Sequence, residues 1–382
     1  MDEYEYIITV NYGLADVSIR EVRDITGRSA EGSGNIVWFR GSEDDAYKLI
    51  LWGRTIHRVL LKLCGGSFET LDDLGRGILR EVDFRRVYGR GLGFALRTVR
   101  LGRHPFTSMD VNRIIGGLIH RRLMGEGLDP YVDLDEPDIE FILRIINDRY
   151  VFTINLTGES LHKRGYRIYR HPAALMPSIA AAMINLSGWG DEVFIDPMAG
   201  SGTIPIEAAI YKYRIAPGLY RGGHPIVNIP LFSIDKYMEY RDKAIESRIV
   251  ERLDTRIIYN DINRLIIDGA LLNSDAASVS EYIEFYNYDA RELDKYLRDI
   301  GGEPIAVMNP PYGIRMTRLS VIPALYDRVV GSLSRMNVSR IVTITSRHRE
   351  MIKAMESNKY RVDRVIRVMY GNLESYIIIC GK

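Results

Sequence analysis

Glutamine is absent from all 382 residues, cysteine occurs only at Cys64 and Cys380, and no uncharged apolar run approaches the roughly 18 residues that a membrane-spanning helix needs. Two distant cysteines without a C-x-x-C exclude a disulfide framework and a cysteine-based zinc or iron–sulfur site. The missing glutamine, beside abundant Arg, Ile and Tyr, is the bias expected where thermolabile amides are avoided, and so of a thermophilic source. The start, Met1-Asp2-Glu3-Tyr4-Glu5, is acidic and unlike a signal peptide, so a cytoplasmic protein is expected. Lysine is missing between Arg76 and Met124, where eleven arginines face only Glu81, Asp83 and Asp110, a local excess of +8 in a chain whose net charge is +1. Guanidinium forks interleaved with Phe84, Tyr88, Phe94 and Phe106 suit phosphate contact and base stacking, although a solvated helix face over buried aromatics would read the same.

Length points to two or three domains, and 46% apolar with 26% charged residues is the balance of a soluble globular chain. The first part alternates strand and helix: strands at 6–11, 36–40 and 55–64, helices at 14–25 and 43–52. A second α+β unit carries the arginines, with helices at 71–82 and 108–124, the latter started by Thr107 or Ser108. Its strands are expected at 93–101, 138–146 and 150–156, the last two forming a hairpin about Asn147-Asp148. Residues 157–170 have no clear period and read as a basic connector. From His171 repeated strand–helix pairs predict a parallel sheet covered on both faces, with strands at 192–196, 256–260, 282–286, 304–309, 339–346, 362–369 and 375–380. The stretch 211–253 exceeds a simple connection and predicts an extra helix at 234–251.

Asn309-Pro310-Pro311-Tyr312 follows the apolar run 305–308. The prolines hold Asn309 and Pro310 extended and contribute no N–H, leaving a stiff loop rich in acceptors. An exocyclic or amide nitrogen is a poor nucleophile because its lone pair is delocalised. The Asn309 carboxamide oxygen and the Pro310 carbonyl, gripping its two hydrogens, would push that lone pair towards an electrophile while Tyr312 stacks on the plane. By chance the tetrapeptide should occur in roughly one chain of this length in a thousand, so a plain turn is a poor explanation.

Three further strand ends carry candidates. Asp196-Pro197-Met198-Ala199-Gly200-Ser201-Gly202-Thr203 reads as a strand-to-helix turn open to a nucleotide-like ligand, without the lysine of a P-loop. Asp261 ends the second strand and can accept from ribose hydroxyls; Asp289 ends the third and can accept from an adenine amine. Each acid, taken singly, could equally be a helix cap. Their order along successive strands lines the crevice where such sheets bind ligands.

The segment DPMAGSGTIPIEAA from Asp196 and NPPYGIR from Asn309 closely resemble those of THUMP-containing, S-adenosylmethionine-dependent RNA guanine-N2-methyltransferases. So do TGESLHKRGYR from Thr157, HPAAL from His171, and Ala216-Pro217-Gly218. The resemblance implies an α/β chain with a ferredoxin-like domain (1–66), a THUMP domain (67–157), a basic linker (158–170) and a Rossmann-like seven-stranded class I methyltransferase domain (171–382). It implies Gly200, Ser201, Gly202 and Thr203, with Ala199, around the methionyl end of S-adenosylmethionine, Asp196 near its ammonium, and His171 to Leu175 closing over it. Asp261 with Ile262 would meet the ribose, Asp289 with Ala290 the adenine. Asn309 and Pro310 would orient a guanine amine and Tyr312 would stack. RNA would contact Arg85, Arg86, Arg97, Arg100 and Arg103, with Lys163 and Arg164 of the linker. One departure is Asn263, where the family often has a second acid.

A thiouridine-forming THUMP enzyme would need an ATP-pyrophosphatase loop, which is missing, and C5 methylation a cysteine on the catalytic loop, where Pro311 and Tyr312 stand. Adenine-N6 methylation of DNA and glutamine methylation share the NPPY loop, but explain neither the THUMP-like half nor the arginines. A non-catalytic RNA-binding scaffold would not need both sites intact. A lone catalytic domain resembles the tRNA enzymes, acting on an acceptor-stem guanosine, more than the longer ribosomal RNA enzymes. No metal and no obligate protein partner is expected.

Overall fold

The computed structural model describes residues 3–251, 253–297, 300–312, 319–371 and 373–382. Met1, Asp2 and the Gly313-Ile314-Arg315 part of the NPPYGIR segment lie outside the described residues. The strands are β1 (Tyr4–Val10), β2 (Ala30–Ser33), β3 (Ile36–Gly41), β4 (Ile56–Ser67), β5 (Gly93–Leu101), β6 (Tyr131–Val132), β7 (Ile139–Ile146), β8 (Arg149–Asn155), β9 (Phe194–Asp196), β10 (Ile257–Asn260), β11 (Ile283–Tyr286), β12 (Ile305–Met308), β13 (Arg340–Thr345), β14 (Arg361–Tyr370) and β15 (Leu373–Gly381). The helices are α1 (Ala15–Thr26), α2 (Glu43–Trp52), α3 (Leu71–Glu81), α4 (Phe84–Val87), α5 (Ser108–Gly125), α6 (Pro177–Ser187), α7 (Thr203–Lys212), α8 (Ile234–Glu246), α9 (Arg264–Ala276), α10 (Ile322–Arg335) and α11 (His348–Ser357).

In β1 only Tyr6, Ile8 and Val10 are buried, the period-two pattern of a strand covered on one face. The first eight strands form one sheet, ordered β2-β3-β1-β4-β8-β7-β5-β6. The boundary expected between residues 66 and 67 falls at the end of β4, whose Leu61 faces Tyr6 of β1 on one side and Ile154 of β8 on the other. The two N-terminal units therefore share a sheet. Helices α3 and α5 each start with a capping box: Thr70 and Thr107 accept from the backbone N–H of Asp73 and Asp110, whose carboxylates accept in return. Asn147 sits in the left-handed region (φ 54°) of the β7–β8 turn. Sequence periodicity misses β2, β6 and α4, which are too short or too polar to carry a pattern.

Phe84, Tyr88 and Phe94 are buried in the N-terminal core and cannot stack on bases, which corrects that part of the sequence reading. Phe106 is half-buried, with the His104 ring stacked on it at 5.0 Å and the Arg100 guanidinium 5.8 Å from its centroid.

The C-terminal sheet runs β11-β10-β9-β12-β13-β15-β14, parallel except for β15, which is antiparallel to both neighbours. Every residue of β9, β10 and β12 is buried, as continuous apolar runs require when helices cover both faces. Strand order reverses at β9, between β10 and β12, and opens a crevice at the carboxyl ends of these strands.

The insertion of residues 211–253 packs on the N-terminal half. Ile226, Ile229, Phe232 and Tyr237 join the apolar cluster of Tyr47 and Ile50, and the Tyr47 hydroxyl donates to Ser233 O at 2.9 Å. The extra helix ends at Glu246, earlier than expected. A Cβ on Gly218 would lie 2.5 Å from Ile50 O and 2.8 Å from Leu51 Cα, so only glycine admits this approach of α2.

The connector is not a surface strap. Leu161, Arg164 and Tyr166 are buried, and Arg164 Nε lies 3.2 Å from Glu207 Oε1 with both side chains at most 1% exposed. Arg164 is therefore a buried ion-pair partner, not an RNA contact, because its guanidinium never reaches solvent. Lys163 is exposed and pairs with Glu159 at 2.5 Å.

Gly218→Ala should destabilise the chain by about 1–3 kcal/mol, as overpacking against backbone does. Gly222→Ala, where a Cβ would meet nothing within 4 Å, should fall within about 0.5 kcal/mol of the parent. Denaturant unfolding of the two variants checks the contrast, and equal stabilities would refute the close approach.

Candidate active site

A cleft of about 950 Å³ opens where β9, β10 and β12 end. Of the residues expected around a cofactor, His171, Leu175, Asp196, Ala199, Gly200, Ser201, Thr203, Asp261, Ile262, Asp289, Ala290 and Asn309 all line it, with Pro310 and Tyr312. Gly202 does not. It turns the chain into α7 at φ 81°, behind the lining, where a Cβ would come within 3.2 Å of the Ala270 side chain.

The glycine turn is pinned from β10. Asp261 Oδ2 accepts from Gly200 N–H at 2.9 Å, the Tyr259 hydroxyl donates to Gly200 O at 2.6 Å, and Ala199 N–H donates to Asn260 O at 2.9 Å. Asp261 Oδ1 accepts from Asn263 N–H at 2.9 Å. Asp261 is not the cap of α9; Asn263 is, its side chain accepting from Leu265 N–H at 3.1 Å.

Asp289 does cap the 3-10 turn Ala290–Lys295, and Arg291 grips both of its oxygens. That guanidinium holds the Asp289 carboxyl below the usual carboxylate range. Asp196 is the opposite case. It is 1% exposed, and among the described residues the only hydrogen-bond donor to its carboxylate is Met198 N–H at 3.1 Å. Burial pushes its pKa well up, and the neighbouring Asp261 adds to the rise.

At the far wall the Tyr312 hydroxyl donates to Asn309 Oδ1, a contact the sequence does not disclose. Burial raises the pKa of Tyr312, so the hydroxyl keeps its proton. Pro311 O accepts from the Tyr326 hydroxyl at 3.0 Å, and that hydroxyl lies 2.9 Å from Thr345 Oγ1, which ties the NPPY loop to the end of β13. Met176, Leu325, Tyr370 and Leu373 also line the cleft, and none lies in a recognisable motif. Tyr370, at the end of β14, donates to Ala174 O of the segment that begins at His171.

Against known proteins, the family model described as an RMKL-like methyltransferase domain matches residues 164–375, a THUMP domain matches 69–155, and an RlmL ferredoxin-like domain matches 5–60. The chain is 32% identical to a tRNA (guanine(6)-N2)-methyltransferase of Methanocaldococcus jannaschii, over 97% of each chain. The chain belongs to the RMKL-like methyltransferases. It is also 26% identical to a ribosomal RNA large subunit methyltransferase K/L of Pseudoalteromonas atlantica, over 98% of this chain but 53% of that one. A crystal structure of a possible methylase from Clostridium difficile superposes with a TM-score of 0.87 at 25% identity, covering 100% of this chain and 99% of that one.

The methyl donor of this methyltransferase is S-adenosylmethionine, and the cleft fits it. Asp196 is a buried carboxylate with no cationic partner among the described residues, as a site for an ammonium-bearing ligand requires. Ser201 Oγ, in the same lining, is buried without a hydrogen-bond partner among the described residues.

The arginines of the THUMP unit are less free than their count suggests. Arg76 pairs with Asp73, Arg85 and Arg122 with Glu126, Arg90 with Asp129 and Arg97 with Glu140, all acids outside the basic window. Arg86 and Arg103 are exposed, and Arg100 shares a 3.0 Å contact with His104 Nδ1.

Because the Asp196 carboxyl titrates higher in the fold than in the unfolded chain, it contributes stability at low pH that is lost as pH rises through its raised value. Asp196→Asn keeps an acceptor for Met198 N–H without the charge, so the cofactor-free variant should melt higher than the parent at neutral pH. Its affinity for S-adenosylhomocysteine should fall, and the parent's affinity should rise with pH over the range in which Asp196 ionises. Calorimetric melting and titration across pH check both, and a variant that melts no higher and binds equally well would contradict the assignment.

Proposed function

We propose that this methyltransferase transfers the methyl group of S-adenosylmethionine to the exocyclic N2 amine of a guanosine in tRNA, in the acceptor stem at the sixth nucleotide. The observation that carries the reading is the meeting, in one cleft, of an uncompensated buried carboxylate beside a glycine turn and the loop Asn309 to Tyr312, whose carboxamide oxygen is already held by the Tyr312 hydroxyl. In this reading Asp196 holds the methionyl ammonium, Ser201 and the N–H groups that open α7 its carboxylate, Asp261 the ribose, and Ala290 with Asp289 the adenine edge. Bound there, the cofactor supplies a methyl group on a sulfonium, an electrophile that asks for no metal and no strong base.

The chain's own part is orientation. Asn309 Oδ1 has two lone pairs, one taken by the Tyr312 hydroxyl, and offers the other to an amine hydrogen. The Pro310 carbonyl is the acceptor we assign to the second hydrogen. Tyr312 supports the base plane. The guanosine N2 proton is lost after the nitrogen has become a cationic amine, a strong acid that water accepts readily.

The tRNA substrate is supported by near full-length likeness to the tRNA enzyme, whereas the ribosomal RNA relative carries about as much chain again beyond the shared part. Arg85, Arg86, Arg97, Arg100 and Arg103, with Lys163, are the cations we assign to the RNA backbone. Arg85 and Arg97, held by Glu126 and Glu140, and Lys163, held by Glu159, would exchange those carboxylates for phosphate. No helix among the described residues is long and apolar enough to cross a membrane, and we place the protein in the cytoplasm with its tRNA. Incubation of tRNA with labelled cofactor, followed by mass mapping of the methylated nucleotide, tests the whole reading; label on ribosomal RNA alone would overturn it.

Asn309→Ala removes a preorganised acceptor at the reacting atom and should lower kcat by about 10² to 10³ while cofactor affinity holds. Near-parent turnover would remove Asn309 from the mechanism. Arg100→Gln and Arg103→Gln should each weaken tRNA binding and flatten its log–log salt dependence by about 0.7–0.9 for each phosphate left without its cation, with cofactor binding untouched. An unaltered salt slope would return these arginines to the solvated surface.

A further inference from the structure

A small polar cluster joins the N-terminal sheet to the cofactor cleft. Asn11, which follows β1, is 5% exposed. Its Nδ2 donates to Met176 Sδ at 3.4 Å, and its Oδ1 accepts from Ser178 Oγ at 2.8 Å and lies 2.9 Å from His57 Nε2. The same His57 nitrogen lies 3.0 Å from Ser178 Oγ. A thioether only accepts, so the carboxamide has one orientation, nitrogen to sulfur and oxygen to His57 and Ser178. His57 must then carry its proton on Nε2. Burial, with the nearby His162 and Arg164, holds its pKa down at about 3, so it is neutral and the network closes without charge.

Met176 stands at the end of the segment 171–176, which lines the cleft through His171, Leu175 and Met176 itself. It also precedes α6: its carbonyl accepts from Ile179 and Ala180 N–H at 3.0 and 3.1 Å, and no side chain caps that helix. Further back the segment is held by the Tyr370 hydroxyl at Ala174 O. It is thus tethered at one point from the methyltransferase sheet and at the other from the ferredoxin-like unit.

We propose that Asn11 is a positioning residue of the cofactor site: through the Met176 thioether it sets the segment 171–176 over the cleft, so that the N-terminal half completes cofactor binding. This rests on the reading of the cleft as the S-adenosylmethionine site. It gives the ferredoxin-like unit a task distinct from any contact with RNA.

The test is titration of the full-length protein with S-adenosylhomocysteine, together with KM and kcat for S-adenosylmethionine at saturating tRNA. Asn11→Ala should raise Kd and KM about tenfold, the size expected when a buried hydrogen bond is removed, with kcat and tRNA affinity near the parent's. Met176→Leu conserves volume, removes the sulfur acceptor and leaves His57 and Ser178 satisfied; it should move Kd in the same direction, and because Met176 also lines the cleft the double variant separates the lost link from any direct contact. The double variant should be no worse than the weaker-binding single one, because both remove the same link. A merely structural loss would lower the stoichiometry of the titration and kcat, leave Kd and KM unmoved, and so overturn the proposal. Additive effects, or parent-like Kd in Met176→Leu, would overturn it too. A parent that fails to bind S-adenosylhomocysteine would instead overturn the reading of the cleft, which the same titration measures first.

Discussion

The joint between the two halves is built on charge taken out of water. Arg164 and Glu207 meet with almost no exposed surface, and the guanidinium also donates to Leu161 O and to Arg54 O, while the Tyr166 hydroxyl donates to Glu207 at 2.8 Å. Arg54 is half-buried beside them, donating to Ile210 O in the last turn of α7 and to Ile215 O just beyond it, and Glu21 accepts from the N–H groups of Arg54 and Thr55. Two cations balance two anions. Such a group adds little net stability over well-packed apolar side chains, but loss of one partner strands a buried charge at a cost of about 3–5 kcal/mol. Its value lies in allowing one arrangement: any slip of the connector or of α7 leaves a charge unpaired.

That arrangement matters because α7 begins at the glycine turn of the cofactor cleft. Glu207 lies one turn inside the helix whose first residues line the site, and Arg54 grips its far end. The apolar seam supplied by residues 226–237 and α2 adds area to the same joint. In the proposed reading the basic face of the THUMP unit and the NPPY loop are therefore set at a fixed span. A rigid span suits an RNA of fixed shape, because phosphate contacts position the nucleic acid without reading it. The ion pairs that already occupy most of the arginines serve the same end, holding long side chains in place at little cost, since exposed pairs are weak enough for phosphate to displace the carboxylate.

Local rules were enough for much of this. Helix α2 and strand β5 fall at the residues where the sequence pattern puts them, because both are bounded by strong local chemistry: Ser42 and Gly53 for the helix, Gly93 and Gly102 for the strand. The cleft was legible because doubly wound sheets put strand ends in one crevice, so four motifs in chain order become four walls in space. What stayed hidden was partnership at long range. Arg164 reads as one more basic residue until Glu207, 43 positions on, is placed against it. Phe84, Tyr88 and Phe94 look available for bases until the helices over the N-terminal sheet bury them. Asn11, a polar residue after a strand, gives no sign that it will meet a methionine 165 positions away.

In the proposed reading, the contact between Tyr312 and Asn309 bears on how an unreactive amine is made to react. A carboxamide left alone in a cleft turns freely, and the cost of fixing it falls on the step in which the base arrives. Here the hydroxyl of Tyr312, kept protonated by burial, already holds Asn309 Oδ1. Because that oxygen has a second lone pair, the incoming amine need not displace the hydroxyl; it meets an acceptor whose direction is set and whose partial charge is polarised by the first bond. Pro310 and Pro311 do the same for the backbone by removing the torsions through which the loop could relax. The amine thus finds a polar environment that requires no reorganisation when positive charge grows on its nitrogen, which is the form of electrostatic assistance that survives without a general base. In the same reading, a paired base would leave its stack to reach this loop. Extrusion costs a few kcal/mol, more than the roughly 1–3 kcal/mol that one aromatic ring returns. The remainder has to come from backbone contacts elsewhere on the protein, which is the physical reason for a catalytic sheet to be locked to an RNA-gripping one.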